Sequence, residues 1–410
     1  MEKTQRFSAL YTRDFRLFWF GQIISLSGTW MHSVAQSWLV YSMTKSPLYL
    51  GLIASLSSLP ILFFTLIGGS VADRYPKRNI IIITQLLSII PAFALGVLTY
   101  GNFVTIWQVG VIAFFFGTVN AFDVPARQSF LAEVVSRDNI TNAIALNSAA
   151  FNGARILGPL MAGIVIANFS IPVCFFLNAL SFVPVVFALT KIRAAGTAKS
   201  SGKGFIEGIG EGWKFVVQDK PVLYIMSLIS IFSLFGIPYI TMLPILADEI
   251  FREGVRGLSL LVSSAGLGSF AAAMIIAFKG EIQGKRIFIP VSAVIFSVAI
   301  LAIALADNFH IAMLLIFFAG WGIVSFLAVC NSFIQQVVPD SLRGRVMSLY
   351  TLVFLGFAPL GNSAIGFVAH AFGTIVSLRI FAAICIFSSI IFFVLFGKSY
   401  KERIYETSSH

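Results

Sequence analysis

Charged side chains are sparse in this chain, so their placement is the first clue to its chemistry. Only 17 Asp and Glu and 28 Lys and Arg occur among 410 residues. The run Gly69-Ser-Val-Ala-Asp73-Arg74-Tyr-Pro76-Lys77-Arg78 sets one carboxylate and three cations at the end of an apolar stretch. An Asp at a helix end can cap the positive N-terminus of a neighbouring helix, and the Arg beside it can pair with a carboxylate elsewhere. Asp123 is the expected partner. The chemistry is then an ion-pair latch, with simple topogenic charge as the plainer alternative. The other readings of Asp123 are a proton site or neither role. Arg155 is the one basic residue deep inside an apolar segment. It either binds an anionic substrate group, or a carboxylate in one conformational state, or it is a structural arginine bonded to backbone carbonyls near Pro159. His32 carries the side chain that titrates nearest neutrality, so it is either a proton carrier or a hydrogen-bonding wall residue.

In hydrocarbon a polar side chain is costly unless it faces protein or water, so polar stripes at helical spacing mark an internal cavity. Gln22, Ser25, Thr29, His32 and Gln36 follow one another in steps of 3, 4, 3 and 4. Ser148, Asn152, Arg155 and Pro159 form a second stripe; Trp321, Ser325, Ala328, Ser332 and Gln335 a third; Ser348, Thr351, Leu355, Ala358 and Asn362 a fourth. Gln22, Thr29, His32, Gln36, Asn152, Arg155, Trp321 and Asn362 are the expected substrate contacts. Most of the 42 phenylalanines must face lipid or neighbouring helices instead.

The elements that position these residues are membrane helices. Hydrophobic residues make up 58% of the chain and charged ones 11%, and the mean hydropathy is +0.92, far from the soluble average of about a quarter charged. Apolar runs fall at about 15–41, 47–72, 79–100, 104–125, 142–168 and 171–190. Six more fall at about 222–244, 257–278, 287–306, 310–335, 346–372 and 377–397. Each is long enough for one crossing of about 20 residues, which predicts an all-α membrane protein with twelve transmembrane helices. The first run is too long for a signal h-region and is expected to stay as a crossing. Of the 28 Lys and Arg, 23 fall in the tails and alternate loops of this topology, which predicts that both termini are cytoplasmic. The net charge of +11 therefore reflects topology and anionic lipid rather than nucleic acid. Cys174, Cys330 and Cys385 lack metal or disulfide spacing and read as small core hydrophobes.

The chain also repeats itself. Gln128-Ser-Phe-Leu-Ala-Glu-Val-Val135 returns as Asn331-Ser-Phe-Ile-Gln-Gln-Val-Val338 after 203 positions, and Gly158-Pro159-Leu160 as Ala358-Pro359-Leu360 after 200. Asp73 finds its echo in Glu281-Ile-Gln-Gly284-Lys285-Arg286, 208 positions on. Such self-similarity at half-length predicts two packed halves. The expected organisation is a six-helix bundle over 1–190, a linker over 191–220, a second bundle over 221–397 and a tail over 398–410. Within the linker, GTAKSSGKG reads as flexible and basic, and Phe205, Ile209, Trp213 and Val216 as one side of a short interfacial helix.

The run from Gly69 to Arg78 resembles the major facilitator signature G-x-x-x-D-[RK]-x-G-[RK]-[RK], with Pro76 in place of the second glycine. PARQSFLAEVV, NAIALNSAAFNGARILGP and Leu342-Arg-Gly-Arg-Val-Met-Ser-Leu349 are similar to the branch that holds the enterobactin exporter and multidrug-type efflux proteins, the transmembrane secretion effectors. The segment Gly158-Pro159-Leu-Met-Ala162-Gly163 resembles an antiporter helix-break motif, with Ala162 and Ala154 replacing two of its glycines. The resemblance implies two pseudo-symmetric six-helix bundles, with helices 3, 6, 9 and 12 outermost. It also implies a gating latch of Gly69, Asp73, Arg74, Arg78 and Asp123 that closes the cytoplasmic side, and a helix-break motif at Gly158, Pro159 and Gly163.

The resemblance implies a secondary active exporter in the bacterial cytoplasmic (inner) membrane, working by alternating access. Its expected substrate is a drug-like amphiphile or a siderophore-like metabolite, and its expected drive is proton antiport. Expected partners are that small molecule, protons and membrane lipid; the chain is expected to act as a monomer without nucleic acid. No phosphate loop, metal cluster or nucleophile motif is evident, so neither an enzyme nor a cofactor or metal is expected. A lipid or lysolipid flippase and a non-transporting membrane sensor are the alternatives.

Overall fold

The computed structural model describes residues 8–192, 205–279 and 284–408, and among them every regular element is helical. Six long helices come first: α1 (Arg13–Thr44), α2 (Pro47–Arg74), α3 (Lys77–Tyr100), α4 (Ile106–Leu131), α5 (Ile140–Asn168) and α6 (Ile171–Lys191). The short α7 (Phe205–Gln218) follows. The remainder are α8 (Lys220–Ile250), α9 (Gly254–Lys279), α10 (Lys285–Ile303), α11 (Phe309–Val337), α12 (Asp340–Phe372) and α13 (Thr374–Ser408). Among the described residues, eleven helices are long and apolar enough to cross a membrane. α1, the expected first crossing, is 32 residues long but stands outside that set. Its polar stripe dilutes its apolar character without shortening it.

Two helices depart from uniform rods, and a third runs longer than expected. α8 overruns its expected end near 244 through wide turns at Phe232–Gly236 and Leu246–Ile250, with a tight turn at Ile237–Met242 between them. Pro238 and Pro244 lie in this stretch, and each removes a backbone donor from the ladder. α12 is two rods, Asp340–Gly356 and Ala358–Phe372, parted at Phe357 just before Pro359. α13 continues to Ser408, through most of the expected tail. The GTAKSSGKG linker and Glu281 lie outside the described residues.

The chain divides into two compact units. The first takes Met1–Lys45, Leu56–Ser201 and Glu253–Ser263; the second takes Ser46–Ser55, Gly202–Arg252 and Ser264–His410. In the first, α1 packs on α5 and α6, and α3 on α4 and α6, around Phe15, Phe18, Ile81, Phe130, Val185 and Leu189. In the second, α10 packs on α11 and α13, and Phe232 stands between Phe296 and Phe326 at ring-centroid distances of 5.0 and 5.1 Å.

The sequence repeat returns as repeated packing inside each unit. Gly117 of α4 lies against the Ser57 carbonyl of α2, and Gly320 of α11 lies against the Ala265 carbonyl of α9. Any side chain at either glycine would fall on a backbone oxygen, so only Gly permits this helix approach. Lys77 donates to Glu133 at 2.6 Å in the first unit, and Lys285 donates to Gln336 in the second. These partners keep the offsets of 208 and 203 seen in the sequence.

Candidate functional site

α4 begins at a capping box in which Thr105 and Gln108 exchange side-chain and backbone hydrogen bonds. That start sets the register in which Asp123 and Arg127, one turn apart, share a face. Asp123 is buried, only 4% exposed. Its Oδ1 accepts from Thr84 Oγ1 at 2.6 Å and from Gln85 Nε2 at 3.1 Å, both on α3. Its Oδ2 takes Arg127 in a two-pronged contact, Nε at 2.8 Å and Nη2 beside it. Arg127 Nη1 then reaches Gln22 Oε1 on α1, while Ser25 Oγ of α1 donates to Gln85 Oε1 at 3.1 Å. Three helices thus converge on one carboxylate–guanidinium pair.

Each ion here loses its hydration, a penalty of several kcal/mol, and the bidentate contact with its surrounding amides and hydroxyls offsets much of that loss. The two opposite charges of the pair balance each other. A proton delivered to Asp123 would cancel its charge and leave Arg127 dependent on Gln22. Charge state is therefore tied to the α1–α4 contact.

The signature run behaves differently from expectation. Asp73 and Arg74 are exposed at the end of α2, and Gly69 has open space where a side chain would be. The expected Arg74 pairing with Asp123 is not made here, because both oxygens of Asp123 are already occupied by α3 and by Arg127. Lys77 and Arg78 instead tie the start of α3 to its own unit. Lys77 pairs with Glu133 beyond α4, and Arg78 donates to the Leu189 and Thr190 carbonyls at the end of α6, at 2.6 and 3.2 Å. Arg78 so satisfies backbone acceptors that a helix end leaves without partners. Pro76 marks the turn that starts α3.

Elsewhere the expected residues separate. Thr29 bonds back to the Ser25 carbonyl. His32 is buried between the rings of Phe116 and Phe175, with Nε2 at 3.3 Å from Gln36 Oε1. Arg155 lies over the Trp30 ring at 5.5 Å, and Asn152 bonds to the Ser148 carbonyl one turn back. In the second unit Asn362 accepts from Thr241 at 3.0 Å, and the Trp321 ring lies 6.4 Å from Phe288. The expected helix break at Pro159 is corrected: α5 runs unbroken from Ile140 to Asn168. Pro159 removes the donor to the Arg155 carbonyl one turn back, and Ser263 Oγ donates to the adjacent Ile156 carbonyl at 3.1 Å. Gly158 presses on the α1 backbone at Ser27 and Met31, and Gly163 on Ser259, so these glycines serve close packing rather than a break. Among the described residues no cluster of His, Cys, Asp and Glu is arranged to hold a metal.

A family model described as transmembrane secretion effector matches residues 4–409. The chain belongs to that family. The Staphyloferrin A transporter of Staphylococcus aureus is 24% identical over 406 residues, covering 96% of this chain and 99% of the relative. The multidrug efflux pump Tap of Mycolicibacterium fortuitum is 26% identical over 365 residues, covering 86% and 88%. Among solved structures, a bacterial homologue of the human lysosomal transporter Spinster superposes with a TM-score of 0.75 at 13% identity, covering 98% of both chains. The fold is that of the major facilitator transporters, and the chain is a transporter of their efflux and secretion type.

Within this secretion effector, the residue that sequence reasoning missed is Arg127. It falls past the expected end of the fourth run at about 125, yet it lies inside α4 with its side chain 12% exposed. The signal was present in the spacing, since Asp123 and Arg127 stand four apart on a helix. Thr84, Gln85 and Ser88 of α3 are all buried, and the first two bond Asp123.

Proposed function

We propose that this protein exports small molecules across the bacterial cytoplasmic membrane by alternating access, driven by protons exchanged at Asp123. One observation carries the coupling: a buried carboxylate, held from α3 and balanced by Arg127, stands where the sequence repeat places Phe326. A transporter that couples to protons needs a group whose charge changes the helix contacts around it. Protonating Asp123 loosens its hold on Arg127, and Arg127 then pulls on Gln22 alone, so α4 and α1 shift against each other. The groups facing this carboxylate are Arg127 on its own helix, Thr84 and Gln85 on α3, and Gln22 through Arg127.

The substrate in this proposal is a siderophore-like metabolite or a drug-like amphiphile, by kinship with the Staphyloferrin A transporter and Tap. Arg155 over Trp30 offers a cation and an aromatic face to such a molecule. Gln22 is assigned to the coupling network rather than to substrate, while Thr29, His32, Gln36, Asn152, Trp321 and Asn362 remain proposed lining residues. Gly69, Asp73 and Arg74 are proposed to latch the cytoplasmic side in another state of the cycle. Both termini lie in the cytoplasm by the distribution of positive charge, and the working unit is a monomer.

The test is transport by purified protein in liposomes, using a fluorescent amphiphile and a hydroxycarboxylate chelator, with and without an imposed pH gradient. Wild-type protein should move at least one of them faster with the gradient, and Asp123→Asn should fall to the rate without it. Gradient-driven transport that survives Asp123→Asn would remove the coupling role.

A further inference from the structure

The short helix α7 docks on the first rod of α12. Glu211 pairs with Arg345. Gly212 sits so close that a Cβ placed there would lie 3.1 Å from Arg345 Cβ and 3.3 Å from its carbonyl carbon. Val216, one turn on, is buried, while Trp213 and Val217 turn outward, 54% and 48% exposed. The expected interfacial stripe is therefore split: Val216 faces protein and Trp213 does not. Only Asp219, which caps the next helix through Val222 N at 3.1 Å, separates α7 from α8.

The rod that α7 meets is a separate lever. It ends at Gly356, and the break at Phe357 parts it from the second rod, which carries Asn362. Polar ties fasten it near its far end, Tyr350 Oη to the Leu327 carbonyl at 3.1 Å and Ser233 Oγ to the Phe354 carbonyl at 2.7 Å. Near its start Arg343 donates to the Gln335 carbonyl at 3.0 Å, and Arg345 meets α7.

The first unit contains the same construction in a different chemistry. The turn Ser8–Tyr11 before α1 meets the start of α5, where Ala9 N donates to Asn142 Oδ1 at 3.0 Å. Ala9 and Gly212, and likewise Asn142 and Arg345, are separated by the same 203 positions as the repeated segment. A neutral bond to one backbone amide serves the first half. An ion pair that can open and close, borne on a longer helix, serves the second.

We infer that Glu211 and Arg345 are positioning residues: through them α7 sets the tilt of the Asp340–Gly356 rod and so the rate at which the transporter changes state. This rests on the transporter function proposed above. The pair is exposed, with side chains 63% and 35% accessible, so its role is adjustment rather than support of the fold.

Charge reversal tests it. Glu211→Arg and Arg345→Glu should each slow turnover by about 2- to 5-fold, the scale of an exposed ion pair replaced by repulsion, with little change in half-saturating substrate. Amide hydrogen exchange over residues 340–356, measured without substrate, should quicken in both. The double variant, with the charges exchanged, should restore both readouts. Single variants that leave rate and exchange unchanged, or a double variant no better than either single one, would overturn the inference. If wild-type protein moves no substrate, the transporter proposal fails, and the exchange measurement still decides whether α7 holds the rod.

Discussion

Equivalent places in the two halves are filled by opposite chemistry. Applying the 203 and 208 offsets, Asp123 corresponds to Phe326, Arg127 to Cys330, Gln85 to Ala293 and Ser88 to Phe296. All four of these second-half residues are buried, and Phe326 and Phe296 pack at a tilt against Phe232. The Lys77–Glu133 ion pair likewise corresponds to a Lys285–Gln336 hydrogen bond. One scaffold therefore closes its core with aromatic rings in one copy and with a carboxylate–guanidinium network in the other. A buried ion pair is seldom a better stabiliser than well-packed apolar groups of similar volume. The second half acts as an internal control: this helix packing does not require charge.

The comparison can be broken most severely by carrying charge the wrong way. Phe326→Asp would remove a ring worth about 3–5 kcal/mol and bury a carboxylate with no guanidinium beside it. Little monodisperse protein should be recovered; a melting curve in detergent matching wild type would show that the second core tolerates charge after all. Next in size, Asp123→Ala strands Arg127 and should cost about 3–5 kcal/mol. The triple variant Asp123→Phe, Arg127→Cys, Gln85→Ala, which copies the second half, should recover most of that stability yet transport without response to a pH gradient. A triple variant as unstable as the single one would mean that the two cores are not interchangeable. The smallest effect belongs to Glu133→Gln, which copies Gln336 and keeps a hydrogen bond to Lys77. Its cost should be about 0.5–1.5 kcal/mol, the part contributed by charge, with melting measured alongside Lys77→Met, which should cost more because it strands Glu133.

The candidate site was only half legible in the residues. Asp123, Gln22, Ser25 and the polar residues of the third helix were visible as departures from an apolar background. Their convergence was not, because which faces of α1, α3 and α4 meet depends on packing between residues 60 to 105 positions apart. Arg127 lies just past the expected end of the fourth run at about 125, and the extension of α4 to Leu131 separates a solvated loop charge from a buried partner. The proline at 159 illustrates the same limit. Its sequence context reads as a break, yet α5 continues through it, and the neighbouring Ile156 carbonyl accepts from Ser263.

Sequence alone determined the class of protein. Apolar runs of bilayer length and a half-length repeat follow from composition and spacing, which the solvent constrains residue by residue. It also held the offsets that equate Lys77 with Lys285 and Gly117 with Gly320. Tertiary structure decided the partners: that Asp123 binds Arg127 and α3 rather than Arg74, that Lys77 and Arg78 staple one unit, and that α7 rests on the first rod of α12. The reason is that hydrophobicity is additive along a chain, whereas an ion pair depends on where two side chains from distant segments come to rest.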